Sequence, residues 1–372
     1  MFRFRPFLLM GFVLVFTAIL ASANDGAFTA NFNTETILAT TVPANGDQNP
    51  YGVAVVQQST GKLIQGHILV SNFNNNAANG GDQGTGTTIV DISPNAAANP
   101  ATAKVFATIS DSACPGGIGL TTALVVLRSG WVIVGSLPTN LGAFVGNGAP
   151  GCLIVLDRWG NVRETFRGGA INGPWDMTAL EAGELVELFV TNVLNGTVAA
   201  NGSVVNGGTV LRMILFVPGD GAPPVELVRT IIGSGFQERT DPMALVIGPT
   251  GVGLGCDGTL YVADTLGNRI AGIPNAVLRL DSAGIGRTVS LNGGLNGPLG
   301  LAIAPNCNIL TVDSNDGNLV ETTPFGFQFP PISIDTSGTP GGVGTLFGLA
   351  VAPGGMGIYY VDDGNNTLDL LY

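Results

Sequence analysis

Three observations predict an all-β fold. A short apolar phrase recurs six times, strand-like segments follow each copy, and the composition is rich in glycine and poor in charge. Together they point to a six-bladed β-propeller with four-stranded antiparallel blades. Of 372 residues, 56 are Gly and 22 are Pro, and only 11% are charged. Helical bundles and coiled coils need charged outer faces, so this composition excludes them. Hydrophobic residues make up 45%, enough for a core.

The phrase is a small apolar strand opening with Pro or Gly. Its clear copies are Pro50–Val56, Pro298–Pro305 and Phe347–Pro353, and its looser copies are Thr121–Val126, Pro174–Ala179 and Pro242–Pro249. A second strand ending in a polar turn follows each: His67–Asn72, Trp131–Ser136, Leu188–Asn192, Leu260–Asp264, Ile309–Asp313 and Ile358–Asp362. Third strands are expected at Thr87–Ile92, Leu153–Asp157, Val210–Phe216, Ala276–Leu280, Asn318–Thr322 and Thr367–Tyr372. A more polar fourth strand closes five units, at Lys104–Ile109, Val162–Phe166, Val225–Ile231, Arg287–Leu291 and Pro331–Asp335. Each unit averages about 58 residues, longer than a blade of roughly 40–50. The surplus lies in the Gly/Asn-rich loops 74–86 and 195–208. The sixth unit lacks an outer strand, while Thr34–Val42 is an orphan strand before the first. Pairing the two closes the ring, so that the N-terminal strand completes the last blade and no open edge invites aggregation.

Residues 1–23 read as a signal peptide, leaving 24–372 as a single propeller domain. Arg3 and Arg5 give a positive start, Pro6–Ala21 is apolar, and Ala21-Ser22-Ala23 fits a cleavage site. No later segment resembles a membrane span, so the expected location is secreted or periplasmic. Export permits disulfides. In a four-stranded blade, the loops joining strand four to one and strand two to three share one face. The 1–2 and 3–4 loops share the other. Cys114 and Cys152 fall on the first face, and Cys256 and Cys307 in adjacent 1–2 loops on the second. The expected pairs are therefore Cys114–Cys152 and Cys256–Cys307.

The run Leu260-Tyr-Val-Ala-Asp-Thr-Leu-Gly-Asn-Arg-Ile270 resembles the signature of NHL repeats, and Thr311–Leu319 and Tyr360–Leu368 resemble weaker copies. The resemblance covers units four to six well and one to three loosely. It implies a six-bladed propeller but no single activity, because such folds serve as binding platforms and, in some relatives, as enzymes. Asp264, Asp313 and Asp362 each end a strand and are expected to brace a turn. Arg269 is expected to brace its turn as well.

The net charge of −12 argues against nucleic acid as a partner. His67 is the one histidine, which argues against Ser-His-Asp and Cys-His catalysis and multi-His metal sites. Ligands of propellers of this kind usually bind on the face of the 4–1 and 2–3 loops. The candidate ligand residues there are Tyr51, Trp175, Asp176 and Asp241, where an aromatic beside a carboxylate suits a sugar or a cation. Related lactonase-type propellers hold one calcium ion with a Glu, an Asn and Asp residues, and no Glu opens an innermost strand here. The favoured reading is thus a secreted, monomeric, non-catalytic propeller that binds a protein, glycan or small molecule on one face. The alternative is a calcium-dependent hydrolase of lactonase type, with Ca²⁺ in the central channel.

Overall fold

The computed structural model describes residues 26–76, 82–95, 103–114, 116–140, 143–144 and 149–372. The expected signal segment lies outside the described residues. Among the described residues, six antiparallel blades surround one axis, and Thr139–Asn140 pairs with Ala143–Phe144 in a separate two-stranded sheet. Blade one contains Gln48–Val55, Ile68–Asn74, Thr88–Ile92 and Lys104–Thr108, from the axis outward. Blade two contains Leu120–Val126, Val132–Ser136, Cys152–Leu156 and Val162–Arg167. Blade three contains Pro174–Ala182, Leu185–Asn192, Val205–Phe216 and Val225–Asp241, with Leu245–Ile247 as a short fifth strand. Blades four and five contain Pro249–Leu254, Leu260–Asp264, Arg269–Ile273 and Arg287–Leu291, then Pro298–Ile303, Ile309–Asp313, Asn318–Thr322 and Ile332–Ser333. Blade six contains Leu346–Val351, Ile358–Asp362 and Thr367–Leu371. Among the described residues, helical structure is limited to three 3₁₀ turns.

The ring closes as the ragged ends require. Glu35–Thr40 pairs antiparallel with Thr367–Leu371, with Glu35 opposite Leu371 and Thr40 opposite Thr367. Leu38 and Ala39 are buried by this pairing. The segment before that strand is latched to blade five. The buried Glu321 carboxylate accepts the backbone N–H groups of Phe28 at 2.6 Å and Thr29 at 2.9 Å. Asn308 Nδ2 donates to the same carboxylate at 2.6 Å. Burial would raise this carboxyl's pKa, but these donors outweigh burial and hold it below the ordinary value.

The glycines shared by the inner strands have a steric cause. Side chains there would point at the next innermost strand. A Cβ added at Gly251, Gly300 or Gly348 would overlap the backbone carbonyl of Leu299, Phe347 or Tyr51 in the following blade. At Gly52 an added Cβ would meet Ser71 Oγ at 2.7 Å and the Thr121 carbonyl of the next blade at 3.0 Å. Glycine is therefore what lets the inner strands approach around the axis. A relay ties neighbouring blades at the same level. In blade one, Gly52 N–H donates to Ser71 Oγ, which donates to the Thr121 carbonyl of blade two. In blade three, Asp176 N–H donates to Thr191 Oγ1, which donates to the Thr250 carbonyl of blade four.

Blade four departs from the sequence expectation. Its innermost strand is Pro249–Leu254, not Pro242–Pro249, and its third strand is Arg269–Ile273, not Ala276–Leu280. Pro249 lies opposite Asp264 just as Pro298 lies opposite Asp313, so the second proline is the structural equivalent. Leu245–Ile247 instead pairs with Arg239–Asp241 on the outer edge of blade three. The true strand, Pro-Thr-Gly-Val-Gly-Leu, has two glycines and a weak strand signature, whereas Leu-Val-Ile has a strong one. Ala276–Leu278 is a 3₁₀ turn.

Both expected disulfides are present. Cys114–Cys152 spans 6.0 Å between Cα atoms and Cys256–Cys307 spans 5.7 Å. The first joins the loop before blade two to its third strand, and the second joins the 1–2 loops of blades four and five.

Candidate functional site

The two ends of the channel differ. On the face of the 4–1 and 2–3 loops, an apolar plug fills the mouth. Tyr51 is 0% exposed and lies stacked between Phe73 and Phe347, at ring-centroid distances of 4.2 and 3.9 Å. Trp175, 1% exposed, sits 6.0 Å from Tyr51. Leu137, Val193 and Leu194 from the 2–3 loops join this cluster. The opposite face, carrying the 1–2 loops, opens into a cavity of about 480 Å³ lined by the C-terminal halves of the inner strands.

The four sequence-predicted ligand residues therefore occupy three environments. Tyr51 and Trp175 belong to the plug. Asp241 does not precede an inner strand as the sequence suggested. It ends the long fourth strand of blade three, where Oδ1 accepts Met243 N–H at 2.9 Å and Ala244 N–H at 3.2 Å, and Oδ2 accepts Arg239 Nη2 at 2.9 Å. Asp176 alone of the four lines the open cavity. It is one residue beyond Trp175, and strand alternation turns it away from its neighbour.

In the observed register Asp176 occupies the inner-strand position held by Gly52, Gly251, Gly300 and Gly348 in blades one, four, five and six. Blade two has Thr122 there, also lining the cavity. Adjacent blades thus place a carboxyl and a hydroxyl where the rest of the ring has no side chain. Thr122 Oγ1 donates to the Trp175 carbonyl. Val252 N–H donates to Asp176 Oδ2 at 3.0 Å. Burial pushes the Asp176 carboxyl up to about 7, against the opposing effect of N–H donors from Val252 and Met177. Leu124, Leu301 and Leu349 give the cavity apolar walls, and Arg128 and Glu181 stand at its rim. There the Glu181 carboxylate accepts Arg128 N–H at 3.1 Å. A carboxyl titrating near neutrality in such a cavity is equipped for general acid–base chemistry. Thr122 was not singled out from sequence; the register of Leu120 opposite Ser136 places it level with Asp176 and the inner-strand glycines.

The donors here do not suit calcium, which takes six to eight oxygens. Asp176 is the one carboxylate deep in the cavity, with Glu181 only at the rim. Among the described residues, no three His, Cys, Asp or Glu side chains gather as a metal-ligating group.

The polar residues ending the second strands brace turns. Asn192 Oδ1 accepts Asn172 N–H at 3.2 Å, Asp313 Oδ2 accepts Asn296 N–H at 3.0 Å, and Asp362 Oδ1 accepts Asn365 N–H at 3.0 Å. Asp264 Oδ2 accepts Arg269 Nε at 2.7 Å, giving Arg269 the bracing role expected of it. His67 Nδ1 lies 2.8 Å from Asp91 Oδ1, away from the channel.

No family model matches the chain, and no curated protein does. The fold does match solved structures. A streptogramin B lyase aligns with a TM-score of 0.52 and 14% identity, over 93% of this chain and 99% of its own. A gluconolactonase from Xanthomonas campestris aligns at 0.52 and 13%, over 91% and 97%. The PQQ-bound aldose sugar dehydrogenase of Streptomyces coelicolor aligns at 0.52 and 17%, over 91% and 97%. The chain shares their six-bladed propeller fold. These identities establish the fold and do not transfer an activity. All three neighbours are nevertheless enzymes, and this corrects the sequence reading of a non-catalytic binding platform. That reading rested on the missing histidine, a role that a buried carboxyl can fill.

Proposed function

We propose that this propeller is a hydrolase of small cyclic esters, with Asp176 as its general base and then its general acid. The observation that carries the proposal is the Asp176 carboxyl, raised to about 7 inside a solvent-open channel. The gluconolactonase among the neighbours gives the reaction class. Ionised Asp176 takes a proton from water as the water oxygen attacks the lactone carbonyl. The ring C–O bond then breaks, and protonated Asp176 returns its proton to the departing alkoxide. Lactone and water become a hydroxy acid, and Asp176 ends as it began. Each innermost strand is hydrogen-bonded on one side only. Its inner edge therefore offers backbone N–H groups to a developing oxyanion, as Val252 N–H already does to Asp176. Thr122 positions the wall beside the carboxyl. Export from the cytosol belongs to the same proposal and is supported by the two disulfides.

The test is turnover of a panel of γ- and δ-lactones, followed by pH indicator. We expect ring opening that Asp176→Asn slows by at least about 100-fold, with a melting temperature no lower than the parent's because the raised carboxyl pKa costs stability at neutral pH. Turnover that survives in a folded Asp176→Asn variant would reject the assignment, as would no turnover of any lactone.

A further inference from the structure

Between blades five and six lies a second cavity, of about 370 Å³, lined by Glu35, Asp335, Asp362 and Asp369 together with Tyr360 and Asn365. The deeper part of the space between these two blades is filled by apolar side chains, among them Leu310, Leu319, Ile334 and Leu346. Strand register explains the cluster. Ile37, Asp369 and Tyr360 form one row across three strands of the closing blade. Asp362 and Glu35, two residues along their strands, fall on the same face. Asp335 comes from blade five.

Asp369 is the informative member. It is 6% exposed, and its Oδ2 accepts Thr367 Oγ1 at 3.1 Å, while its Oδ1 has no hydrogen-bond partner. A buried, unpartnered carboxylate oxygen on a cavity wall is an acceptor in want of a donor. Asp335 accepts Ser337, and Asp362 accepts Asn365. None of the ion pairs among the described residues includes any of the four carboxylates. Burial first, and then the neighbouring carboxylates, raise the pKa of Asp369 to about 7 and that of Glu35 above its ordinary value. The cavity thus lacks positive charge.

We propose that this cavity binds an organic cation carrying several N–H donors, a primary amine or guanidinium group. The carboxylates line a wall instead of converging on a point, and no three of them form a metal-ligating group. A dispersed set suits an elongated cation that donates to each acceptor in turn. Tyr360 also lines the cavity, its hydroxyl already donating to the Ile334 carbonyl at 3.3 Å. Because Glu35 belongs to the N-terminal strand, occupancy would also tighten ring closure and raise thermal stability by linkage.

The probe is agmatine, which carries both an amine and a guanidinium group, titrated calorimetrically into the full chain at constant ionic strength. Tetramethylammonium, which has no N–H donor, and calcium chloride are run in parallel. We expect one agmatine per chain and a higher melting temperature. Asp369→Asn should weaken binding by at least about tenfold, while Asp176→Asn in the channel leaves it unchanged. Should Asp369→Asn fail to fold, Asp335→Asn on the opposite wall gives the same reading. Four results overturn the proposal: no agmatine binding, binding indifferent to both variants, equal binding of tetramethylammonium, or a response to calcium without one to agmatine.

Discussion

Asp313→Asn is expected to stabilise the protein near pH 7, although it removes a residue of the repeat signature. Asp313 is 0% exposed; its Oδ2 accepts Asn296 N–H, and its Oδ1 has no partner. Burial, with a smaller contribution from Asp316, pushes the carboxyl up to about 8 against the Asn296 bond. In the unfolded chain the same group titrates near 3.9. Because the folded value is the higher one, stability is intact below about pH 4. It falls as pH rises toward 8 and then levels off. At pH 7 about three pH units lie between the unfolded value and the medium, at about 1.4 kcal/mol each. The cost is about 4 kcal/mol. Asparagine keeps the acceptor for Asn296 but places an amide donor where Oδ1 has no partner, at a cost of about 1–2 kcal/mol. The net expectation is a gain of about 2 kcal/mol near pH 7 that disappears, or reverses slightly, near pH 4. Urea unfolding followed by tryptophan fluorescence, with disulfides intact, measures both. A variant less stable than the parent by the same amount at both pH values would refute the reasoning.

Two further changes test the closure of the ring. Glu321→Gln should cost about 3 kcal/mol, because an amide group replaces one oxygen that accepts from Phe28, Thr29 or Asn308. The folded carboxyl lies below its unfolded value. That advantage is therefore full above about pH 4.3, and it should vanish as acid titrations pass through the folded value. Gly348→Ala should cost about 3 kcal/mol or more in chemical denaturation, because the new methyl meets the Tyr51 carbonyl where blade six joins blade one. Gly26→Ala, with nothing within 4 Å, should be neutral.

Most of the architecture was legible because it depends on local periodicity. Ile309–Asp313 and Asn318–Thr322 stand where the sequence placed them, and the orphan strand found its partner because the sixth unit lacked one. Blade four was misread because Leu245–Ile247 has a better strand signature than the glycine-bearing segment that lines the axis. The site was less legible. Tyr51 and Trp175 looked like a ligand surface, and only packing across three blades shows them as a plug. Asp176 was recognised by residue type. Its raised pKa arises from burial between blades, which no local pattern reports. Glu35 and Asp369 are distant in sequence and share a face only after the ring closes.

The most direct test of catalysis in the channel is the pH dependence of kcat/KM for lactone opening by the parent chain and its Asp176→Asn variant. Asp176 must be ionised to act as a base, so the parent rate should rise through an inflection near its pKa of about 7, and the variant should lose that inflection with most of the rate. A parent profile flat through neutrality, or an inflection that persists in the variant, would place the chemistry elsewhere.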